Sequence, residues 1–342
     1  MRAAVMRQKA IVVDTVPDPK PGPGEMLVRT LACGICGSDL HALVHADKMV
    51  EAARASGGPL LLDPARDVVM GHEFCAEVLD YGPDTPVGVP AGRRVVSMPI
   101  VFRGGGMQGI GYSNEVPGGY GELMVLPASL ALEVPNGLPT EHAALTEPMA
   151  VGLHAVEKAR LGPHDAALVY GCGPVGLAVI AALVLRRVEP IVAADYSPLR
   201  RRLATAMGAH AVVDPAERPA IDAYRELADL RPTVLFECVG VPGVLDQIMR
   251  QAPLGSRIVV AGVCMERDAI HPMVGINKEL NIQFVFAYQP QEFAATLQAL
   301  ADGQIRVEPL ITGRVGVDGV AQAFRDLGRP DAHAKILVEP WR

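Results

Sequence analysis

The chain has 342 residues, of which 50% are hydrophobic and 4% aromatic, and it carries a formal net charge of -7. This length exceeds the size at which a single hydrophobic core stops growing, so two domains are expected. The net charge is negative and the chain has no block of basic residues. This excludes a protein that binds nucleic acid through its phosphates. The longest apolar run, residues 177–185, is too short to cross a bilayer, and the N-terminal segment lacks an apolar signal region. We therefore expect a cytoplasmic protein with no nucleic-acid or membrane partner.

The first 130 residues have the pattern of a β-rich domain. Short apolar or alternating runs, broken by Gly and Pro, predict strands at 26–31, 73–81, 94–99 and 121–126. Together these strands predict a distorted barrel. Two long stretches interrupt them: residues 42–69, with a helical patch at 48–54, and the glycine-rich residues 103–119. Both are long enough to line or cover a site, so we expect them to shape a substrate pocket.

Metal-binding side chains are concentrated in this region. Cys36, His72 and Glu73, together with the later Glu147, offer one thiolate, one imidazole and two carboxylates to a single metal ion. This mixture of donors suits zinc, and a site with fewer than four tight protein ligands leaves a position for water or substrate. Cys33 and Cys36 also form a Cys-x-x-Cys pair, which alone would suit half of a four-cysteine zinc site or a redox motif. The chain has no second pair of this kind, so the sequence favours a catalytic metal site.

After residue 141 the pattern changes to helices that alternate with apolar strands. The strands are predicted at 166–170, 191–195, 211–214, 233–239 and 257–263. Such alternation predicts a doubly wound parallel sheet, so the fold class is α/β. A further apolar strand at 281–287 would form the edge of this sheet. The tail is predicted to contain helices at 290–302 and 317–328 and a closing strand at 334–338. We assign the tail to the first domain, because the series of strands and helices is complete before it.

A dinucleotide-binding fingerprint follows the first strand of this sheet. Gly171, Gly173 and Gly176 form the pattern Gly-x-Gly-x-x-Gly, with Pro174 and Val175 between the second and third glycines. The glycines permit a tight turn, and the N-terminus of the next helix offers free N–H groups to a pyrophosphate. A glycine-rich turn without a ligand is the alternative, and the complete context of strand, turn and helix disfavours it.

Asp195 ends the next predicted strand. A carboxylate at this place accepts hydrogen bonds from both ribose hydroxyls and would repel a 2′-phosphate, so the sequence favours NAD over NADP. Three arginines, Arg200, Arg201 and Arg202, lie one helical turn further on. Any of them could contact the adenosine ribose, with Arg200 our first candidate, or face solvent.

Four motifs occur in a fixed order along the chain: Gly-Ile-Cys-Gly-Ser-Asp-Leu-His at 34–41, Gly-His-Glu at 71–73, Glu-Pro-Met-Ala-Val-Gly at 147–152 and the fingerprint at 171–176. With these motifs the chain resembles, over nearly its whole length, the zinc-dependent medium-chain alcohol and polyol dehydrogenases, with a pattern most similar to sorbitol and butanediol dehydrogenases. The resemblance implies a GroES-like β-rich catalytic domain split around a Rossmann domain. We expect the catalytic domain at 1–148 and 289–342 and the NAD-binding domain at 149–288, with the active site in the cleft between them.

The resemblance also implies which residues hold the metal. Cys36 and His72 match the two constant zinc ligands. Glu73 and Glu147 are left for the remaining places: both bind zinc, or one binds it while the other holds the water. Asp39 matches the carboxylate that orients the histidine ligand.

The implied reaction is the oxidation of an alcohol. Zinc would stabilise the alkoxide as a Lewis acid, and the hydride would pass to NAD held by the Rossmann domain. The hydroxyl proton would leave through Ser38, a nicotinamide ribose hydroxyl and His41. Secondary alcohols, vicinal diols and sugar alcohols all suit such a site, so the expected substrates are these alcohols and their ketones.

Three further expectations complete this interpretation. Cofactor contacts beyond the fingerprint are expected at Val239, Gly240 and Val263, at the carboxyl ends of later strands. Residues 76–171 contain no cysteine, so the four-cysteine lobe that holds a structural zinc in many relatives is missing, and one zinc ion per chain is expected. In the family that the chain resembles, an apolar edge strand such as 281–287 commonly pairs with its partner, so a homodimer or homotetramer is expected.

Two alternatives remain, one of them an enzyme of the same superfamily and the other a protein without catalytic activity. A zinc-free quinone or enone reductase of the same superfamily would use NADPH and need no metal ligands, and the presence of Cys36, His72, Glu73 and Glu147 disfavours it. A catalytically inactive nucleotide-binding relative would keep the fold, because a fold alone does not prove activity. Zinc analysis of the purified protein separates both from a zinc dehydrogenase.

Overall fold

The computed structural model describes residues 1–57, 62–229 and 231–342. The N-terminal part consists mainly of short strands: β1 Arg2–Arg7, β2 Ala10–Thr15, β3 Glu25–Gly34, β4 Val68–Val69, β5 Glu73–Tyr81, β6 Arg94–Ser97, β7 Ile100–Arg103, β8 Gly106–Gly109, β9 Leu123–Pro127 and β10 Ala131–Glu133. Its helices are α1 Gly37–Ser56, α2 Thr140–Ala143 and α3 Thr146–Lys158.

The main sheet of this part brings the ends of β3 and β5 together. β3 lies between β5 and β9, and β6 and β10 follow on the far side of β5, all in antiparallel pairs. Met26, Val28, Val78 and Met124 are buried from these strands and contribute to one hydrophobic core. Because Gly34 at the end of β3 pairs with the first residue of β5, the 34–41 and 71–73 motifs meet at this edge.

The second part alternates strands and helices, as the sequence predicts. Its strands are β11 Ala166–Tyr170, β12 Ile191–Ala194, β13 Ala211–Val213, β14 Thr233–Glu237, β15 Arg257–Val260 and β16 Asn281–Phe284. Its helices are α4 Pro174–Leu185, α5 Pro198–Ala206, α6 Ala220–Ala228, α7 Val244–Gln251 and α8 Pro272–Asn277. The strands form one sheet in the order β13, β12, β11, β14, β15, β16, and every pair is parallel. The predicted doubly wound parallel sheet is confirmed, with its switch point between β11 and β14.

The central strands explain why this sheet is parallel. Every residue of β11, β12 and β14 is buried, as expected for strands covered by helices on both faces. Helix α3 packs closely on α4, since a Cβ on Gly152 would lie 2.3 Å from the carbonyl carbon of Ala178. This contact joins the helix that leaves the β-rich part to the parallel sheet.

The tail returns to the main sheet of the N-terminal part. It contains α9 Pro290–Ala301, β17 Ile311–Val315, α10 Val320–Leu327 and β18 Lys335–Val338, with 3-10 turns at Glu308–Leu310 and Val317–Gly319. β18 pairs with β17 in parallel and with β3 in antiparallel orientation, so that Leu337 lies opposite Gly34. Lys335, at the start of β18, is thereby brought beside the strand ends that carry the metal-binding motifs.

Several elements differ from the predictions. Helix α1 begins at Gly37 rather than near residue 48, and the glycine-rich stretch 103–119 begins at the β7–β8 hairpin. Strand β17 was not predicted, because its sequence contains Gly313 and Arg314 and lacks a strong apolar pattern. The strands predicted at 233–239, 257–263 and 281–287 end at Glu237, Val260 and Phe284, where the chain turns away from the sheet.

The predicted domain boundary between residues 148 and 149 falls inside α3, and the division into domains stays a prediction. Residues 58–61, within the predicted pocket stretch 42–69, lie outside the described residues. Among the described helices, none combines the length and the apolar character that a bilayer-spanning segment needs.

Candidate active site

Three of the predicted metal ligands converge at the edge formed by β3 and β5. Cys36 is the N-cap of α1 and lies two residues after the end of β3, and His72 directly precedes Glu73, the first residue of β5. One ligand atom of each lies within 4.8 Å of the other two. A thiolate, an imidazole and a carboxylate at these distances are the donor set of a zinc site that keeps an open position. The residues therefore fit the metal that the motifs imply.

Two glycines make this convergence possible. Gly71 has a φ of +103°, and a Cβ there would lie 2.7 Å from the ring of Tyr120. A Cβ on Gly34 would lie 2.0 Å from Oε2 of Glu73. Glycine at both positions lets the two strand ends approach each other, and this explains why each metal-binding motif begins with glycine.

Asp39 is fully buried behind His72. Its Oδ1 lies 3.3 Å from Nδ1 of His72, and its Oδ2 accepts hydrogen bonds from the Tyr120 hydroxyl at 2.6 Å and the Cys36 backbone N–H at 3.0 Å. Burial alone would raise the pKa of Asp39, but the charge of His72 and these hydrogen bonds outweigh burial and lower the pKa. With an anionic Asp39 beside Nδ1, the other ring nitrogen of His72 is left for a metal ion.

Lys335 belongs to the site although no sequence motif pointed to it. Its Nζ donates to both carboxylate oxygens of Glu73, at 2.8 and 2.7 Å, and to the Ile35 carbonyl at 3.0 Å. Glu73 is fully buried and Lys335 is 2% exposed. Burial lowers the pKa of Lys335, but the charge of Glu73 outweighs this effect and raises the pKa. The only sequence signal was a single lysine within an otherwise apolar strand.

Glu147 lies in the first turn of α3, outside the three-residue cluster. Burial raises its pKa to about 7, an effect that the charge of His72 opposes and that of Glu73 reinforces. The buried hydroxyl of Tyr288 lies close to Glu147 without a well-aligned hydrogen bond to the described residues. The role of Glu147 as a zinc ligand stays a prediction.

The predicted proton-path residues, Ser38 and His41, lie three residues apart on α1 and so are neighbours on the helix surface. Burial and the neighbouring His45 lower the pKa of His41. The Ser38 Oγ lies 2.8 Å from the hydroxyl of Tyr112, whose ring centroid is 5.2 Å from that of His72. Tyr112 comes from the glycine-rich stretch, and the sequence analysis did not single it out.

Cys33 lies outside the three-residue cluster. It is fully buried in the hydrophobic core, and its Sγ donates to the Gly34 carbonyl at 3.6 Å. Burial raises its pKa well above the ordinary value, so the group is a thiol rather than a thiolate. The Cys33–Cys36 pair therefore does not act as one unit.

The fingerprint turn between β11 and α4 has the geometry of a dinucleotide site. Gly171 has a φ of +87°, and a Cβ on Gly176 would lie 1.8 Å from the Gly171 carbonyl oxygen. Gly173 is the N-cap of α4, and the helix begins with Pro174 and Val175. The first N–H groups of this helix have no intrahelical partners and are available to a pyrophosphate.

Asp195 directly follows β12 and is 9% exposed. One carboxylate oxygen accepts from the Cys172 N–H and the other from the Ser197 N–H, each at 2.8 Å. These bonds fix the carboxylate beside the fingerprint turn, while each oxygen keeps lone-pair capacity for a ribose hydroxyl.

The three arginines after Asp195 have different surroundings. Arg201 donates to the Asp195 carbonyl and pairs with Asp214, each at 2.8 Å, and Arg202 is exposed. Arg200 lies 3.8 Å from Oδ2 of Asp195, and its buried Nε has no hydrogen-bond partner among the described residues. Arg200 is therefore the arginine best placed to contact a nucleotide.

The other predicted cofactor contacts lie on two loops that pack together. A Cβ on Gly240 would lie 2.7 Å from the Val263 backbone nitrogen, and Val239 and Val263 are both exposed. Beneath them, Glu237 is buried and accepts hydrogen bonds from the N–H groups of Val239 and Gly240 at 2.7 and 2.8 Å. No motif in the sequence points to Glu237, whose carboxylate shapes this loop.

Comparison with known proteins finds relatives over nearly the whole chain. Two family models match the chain, an alcohol dehydrogenase GroES-like domain over residues 22–136 and a zinc-binding dehydrogenase over residues 174–302. The (R,R)-butanediol dehydrogenase of Bacillus subtilis (strain 168) is 33% identical over 97% of both chains. The crystal structure of 2R,3R-butanediol dehydrogenase from Bacillus subtilis aligns over 99% of both chains, with a TM-score of 0.85 and 31% identity. A zinc-binding dehydrogenase homologue from Sinorhizobium meliloti 1021, bound to NADP, aligns over 99% of both chains with a TM-score of 0.83 and 27% identity.

Proposed function

The chain belongs to the zinc-dependent medium-chain alcohol and polyol dehydrogenases, and on this premise we propose that it oxidises a secondary alcohol, vicinal diol or polyol to a ketone with NAD. The observation that carries the proposal is the convergence of Cys36, His72 and Glu73 within 4.8 Å. Because the Bacillus subtilis relative at 33% identity is an (R,R)-butanediol dehydrogenase, 2,3-butanediol is the first substrate to test.

Cys36, His72 and Glu73 would hold one zinc ion per chain. When bound, the ion supplies Lewis-acid polarisation of the substrate hydroxyl. Asp39 orients His72, and Lys335 balances part of the charge that Glu73 brings into the site. The four-cysteine pattern of a second, structural zinc site is missing from residues 76–171.

Ser38 and His41 would carry the hydroxyl proton away from the substrate. Ser38 follows Cys36 by two residues in the first turn of α1, and its hydroxyl contacts Tyr112, whose ring packs on that of His72. His41 has a lowered pKa, so its imidazole is neutral at neutral pH and can accept a proton. When bound, the nicotinamide ring accepts the hydride.

Asp195 and the unpartnered Arg200 bear on the choice of cofactor. The fixed carboxylate of Asp195 suits the two ribose hydroxyls of NAD and would repel a 2′-phosphate. Arg200 reduces that repulsion without a tight ion pair, at 3.8 Å. We propose NAD as the preferred cofactor and slower turnover with NADP.

We also propose that β16 pairs with its copy in a homodimer or homotetramer. It is the edge strand of the parallel sheet. Phe284 is 66% and Phe286 89% exposed on and just beyond this strand. An exposed apolar edge strand is otherwise prone to aggregate.

Zinc analysis combined with an alcohol panel tests the proposed function. Purified protein is expected to contain one zinc ion per chain and to reduce NAD with 2,3-butanediol, sorbitol or 2-propanol, and chelation is expected to abolish the activity. Cys36→Ser is expected to lose zinc and activity, whereas Cys264→Ser, at an exposed cysteine outside the cluster, keeps both. Protein that binds NAD but holds no stoichiometric zinc would contradict the proposal.

A further inference from the structure

We propose that Tyr112 is a positioning residue that sets the direction of the Ser38 hydroxyl for proton transfer, an inference that rests on the proton path proposed above. The Tyr112 hydroxyl lies 2.8 Å from Oγ of Ser38 and 2.9 Å from Oδ1 of Asp39. Its ring packs against that of the ligand His72, with centroids 5.2 Å apart and an angle of 40° between the planes. One side chain thus contacts the proton-path residue, the buried carboxylate and a metal ligand.

The backbone holds Tyr112 firmly in this place. Gly111 has a φ of +80°, and a Cβ there would lie 2.9 Å from the Gly71 backbone nitrogen. The Gly111 N–H donates to the Val116 carbonyl and the Tyr112 N–H to the Gly109 carbonyl. The loop is therefore packed on Gly71, the residue before His72. This packing holds Tyr112 beside His72.

The hydrogen-bond pattern determines which group donates. Asp39 already accepts hydrogen bonds from the Cys36 N–H and the Tyr120 hydroxyl, and its other oxygen faces Nδ1 of His72. A carboxylate surrounded by donors has no hydrogen to give. Tyr112 must therefore donate its single hydroxyl hydrogen to Asp39. Its oxygen then accepts from Ser38, the second hydroxyl in contact with it.

This direction prepares Ser38 to receive a proton. With its own hydrogen directed towards Tyr112, the Ser38 oxygen presents lone pairs to a substrate hydroxyl. As the substrate proton arrives, the Ser38 hydrogen leaves the Tyr112 oxygen and passes to the nicotinamide ribose hydroxyl and on to His41, because Tyr112 leads only to Asp39, which is fully buried. Without Tyr112, neither the Ser38 side chain nor its hydroxyl hydrogen is held in one direction. The side chain can then occupy other staggered rotamers, and only some of them place its oxygen to accept from the substrate.

A double-mutant cycle tests whether Tyr112 acts through Ser38. Tyr112→Phe, Ser38→Ala and the double variant are prepared with zinc bound and assayed with NAD and the alcohol of the panel that the wild type oxidises fastest. Phenylalanine keeps the ring packing on His72 and removes only the hydroxyl. Tyr112→Phe is expected to lower kcat by about twofold to tenfold, the effect of one lost hydrogen bond. It is expected to cause no further loss in the Ser38→Ala background.

Tyr120→Phe is the matched control, because the Tyr120 hydroxyl also donates to Asp39 but does not contact Ser38. Its fold-loss in kcat is expected to be the same in the wild-type and Ser38→Ala backgrounds. The zinc content and the Kd for NADH, measured by fluorescence, are expected to be unchanged in Tyr112→Phe. A crystal structure of the zinc-loaded Tyr112→Phe variant is expected to show Ser38 in more than one rotamer.

The possible results separate this inference from the proposed proton path. Unchanged kcat in Ser38→Ala at every pH would overturn the path itself. If Ser38→Ala lowers kcat but the fold-losses of Ser38→Ala and Tyr112→Phe multiply in the double variant, only the role of Tyr112 is overturned. The same holds if Ser38 keeps a single, unaltered rotamer in Tyr112→Phe.

Discussion

Lys335→Met removes the ammonium group that pairs with the buried carboxylate of Glu73. Lys335 Nζ donates to both oxygens of Glu73, and Glu73 is fully buried. Methionine keeps the length and apolar stem of lysine, so the variant chiefly loses the ammonium group. Removing one partner of a buried ion pair costs about 3–5 kcal/mol, because the other charge stays buried and unpaired. We expect the free energy of unfolding of the zinc-free protein to fall by this amount.

Denaturant unfolding with and without zinc measures this effect. The chelated wild type and variant are compared first, and then both with zinc at about 100 times its Kd, which by itself stabilises a folded protein by about 2.7 kcal/mol. Because zinc brings positive charge to Glu73, the difference between wild type and Lys335→Met is expected to shrink when the metal is bound.

Two further variants make the comparison decisive. The double variant Lys335→Met/Glu73→Gln removes both charges and is expected to recover most of the loss in the zinc-free protein. Arg66→Met breaks the exposed pair with Glu115, whose side chains are 57% and 63% exposed, and is expected to cost less than about 1 kcal/mol. Two results would show that an unpaired Glu73 charge is not the cause. One is a loss of unfolding free energy in Lys335→Met no larger than that in Arg66→Met, and the other is no recovery in the double variant.

Three further predictions concern the cofactor, the pH and the assembly. Asp195→Ala removes the carboxylate from the ribose site and is expected to lower the ratio of kcat/KM for NAD to that for NADP by about tenfold or more, a result that an unchanged ratio would contradict. In the folded chain the pKa of Glu147 is raised from 4.5 to about 7, so the carboxyl keeps its proton up to that pH. The unfolded chain loses this proton near pH 4.5, and the zinc-free protein is therefore expected to lose up to about 3 kcal/mol of stability as the pH rises from 4.5 to 7. Glu147→Gln is expected to flatten that part of the curve of unfolding free energy against pH, and an unaltered slope would exclude Glu147 as its source. Phe286→Glu is expected to shift the assembly towards monomer in sedimentation experiments, whereas Phe102→Glu, at an exposed aromatic residue outside β16, leaves it unchanged.

The parallel sheet and its fingerprint could be predicted because both depend on local sequence. Strands β11, β12 and β14 are buried on both faces and therefore read as continuous apolar runs. Two fingerprint glycines have local reasons: Gly171 has a φ of +87°, and a Cβ on Gly176 would lie 1.8 Å from the Gly171 carbonyl oxygen. The edge position of β16 also followed from chain order, since it ends the series.

The site residues that were missed depend on contacts between distant parts of the chain. Lys335 contacts Glu73 across 262 positions, and Tyr112 contacts Ser38 across 74. A single lysine or tyrosine has no spacing or period from which such a partner could be inferred. The early start of α1 was missed for a similar reason: Gly37, its first residue, is a poor helix former, and the packing and hydrogen bonds of Asp39 favour the helix there.

The late position of β18 in the chain determines when the metal-binding site can form during synthesis. A ribosome completes β3 and β5 long before it reaches residue 335, so during most of synthesis Glu73 has no ammonium partner and the end of β3 lacks its neighbouring strand. The strands of the parallel sheet, by contrast, all lie between residues 166 and 284 and can pair as soon as that segment has emerged. The metal-binding motifs are thus among the first parts of the chain to be translated, and the site that they form is among the last to be completed.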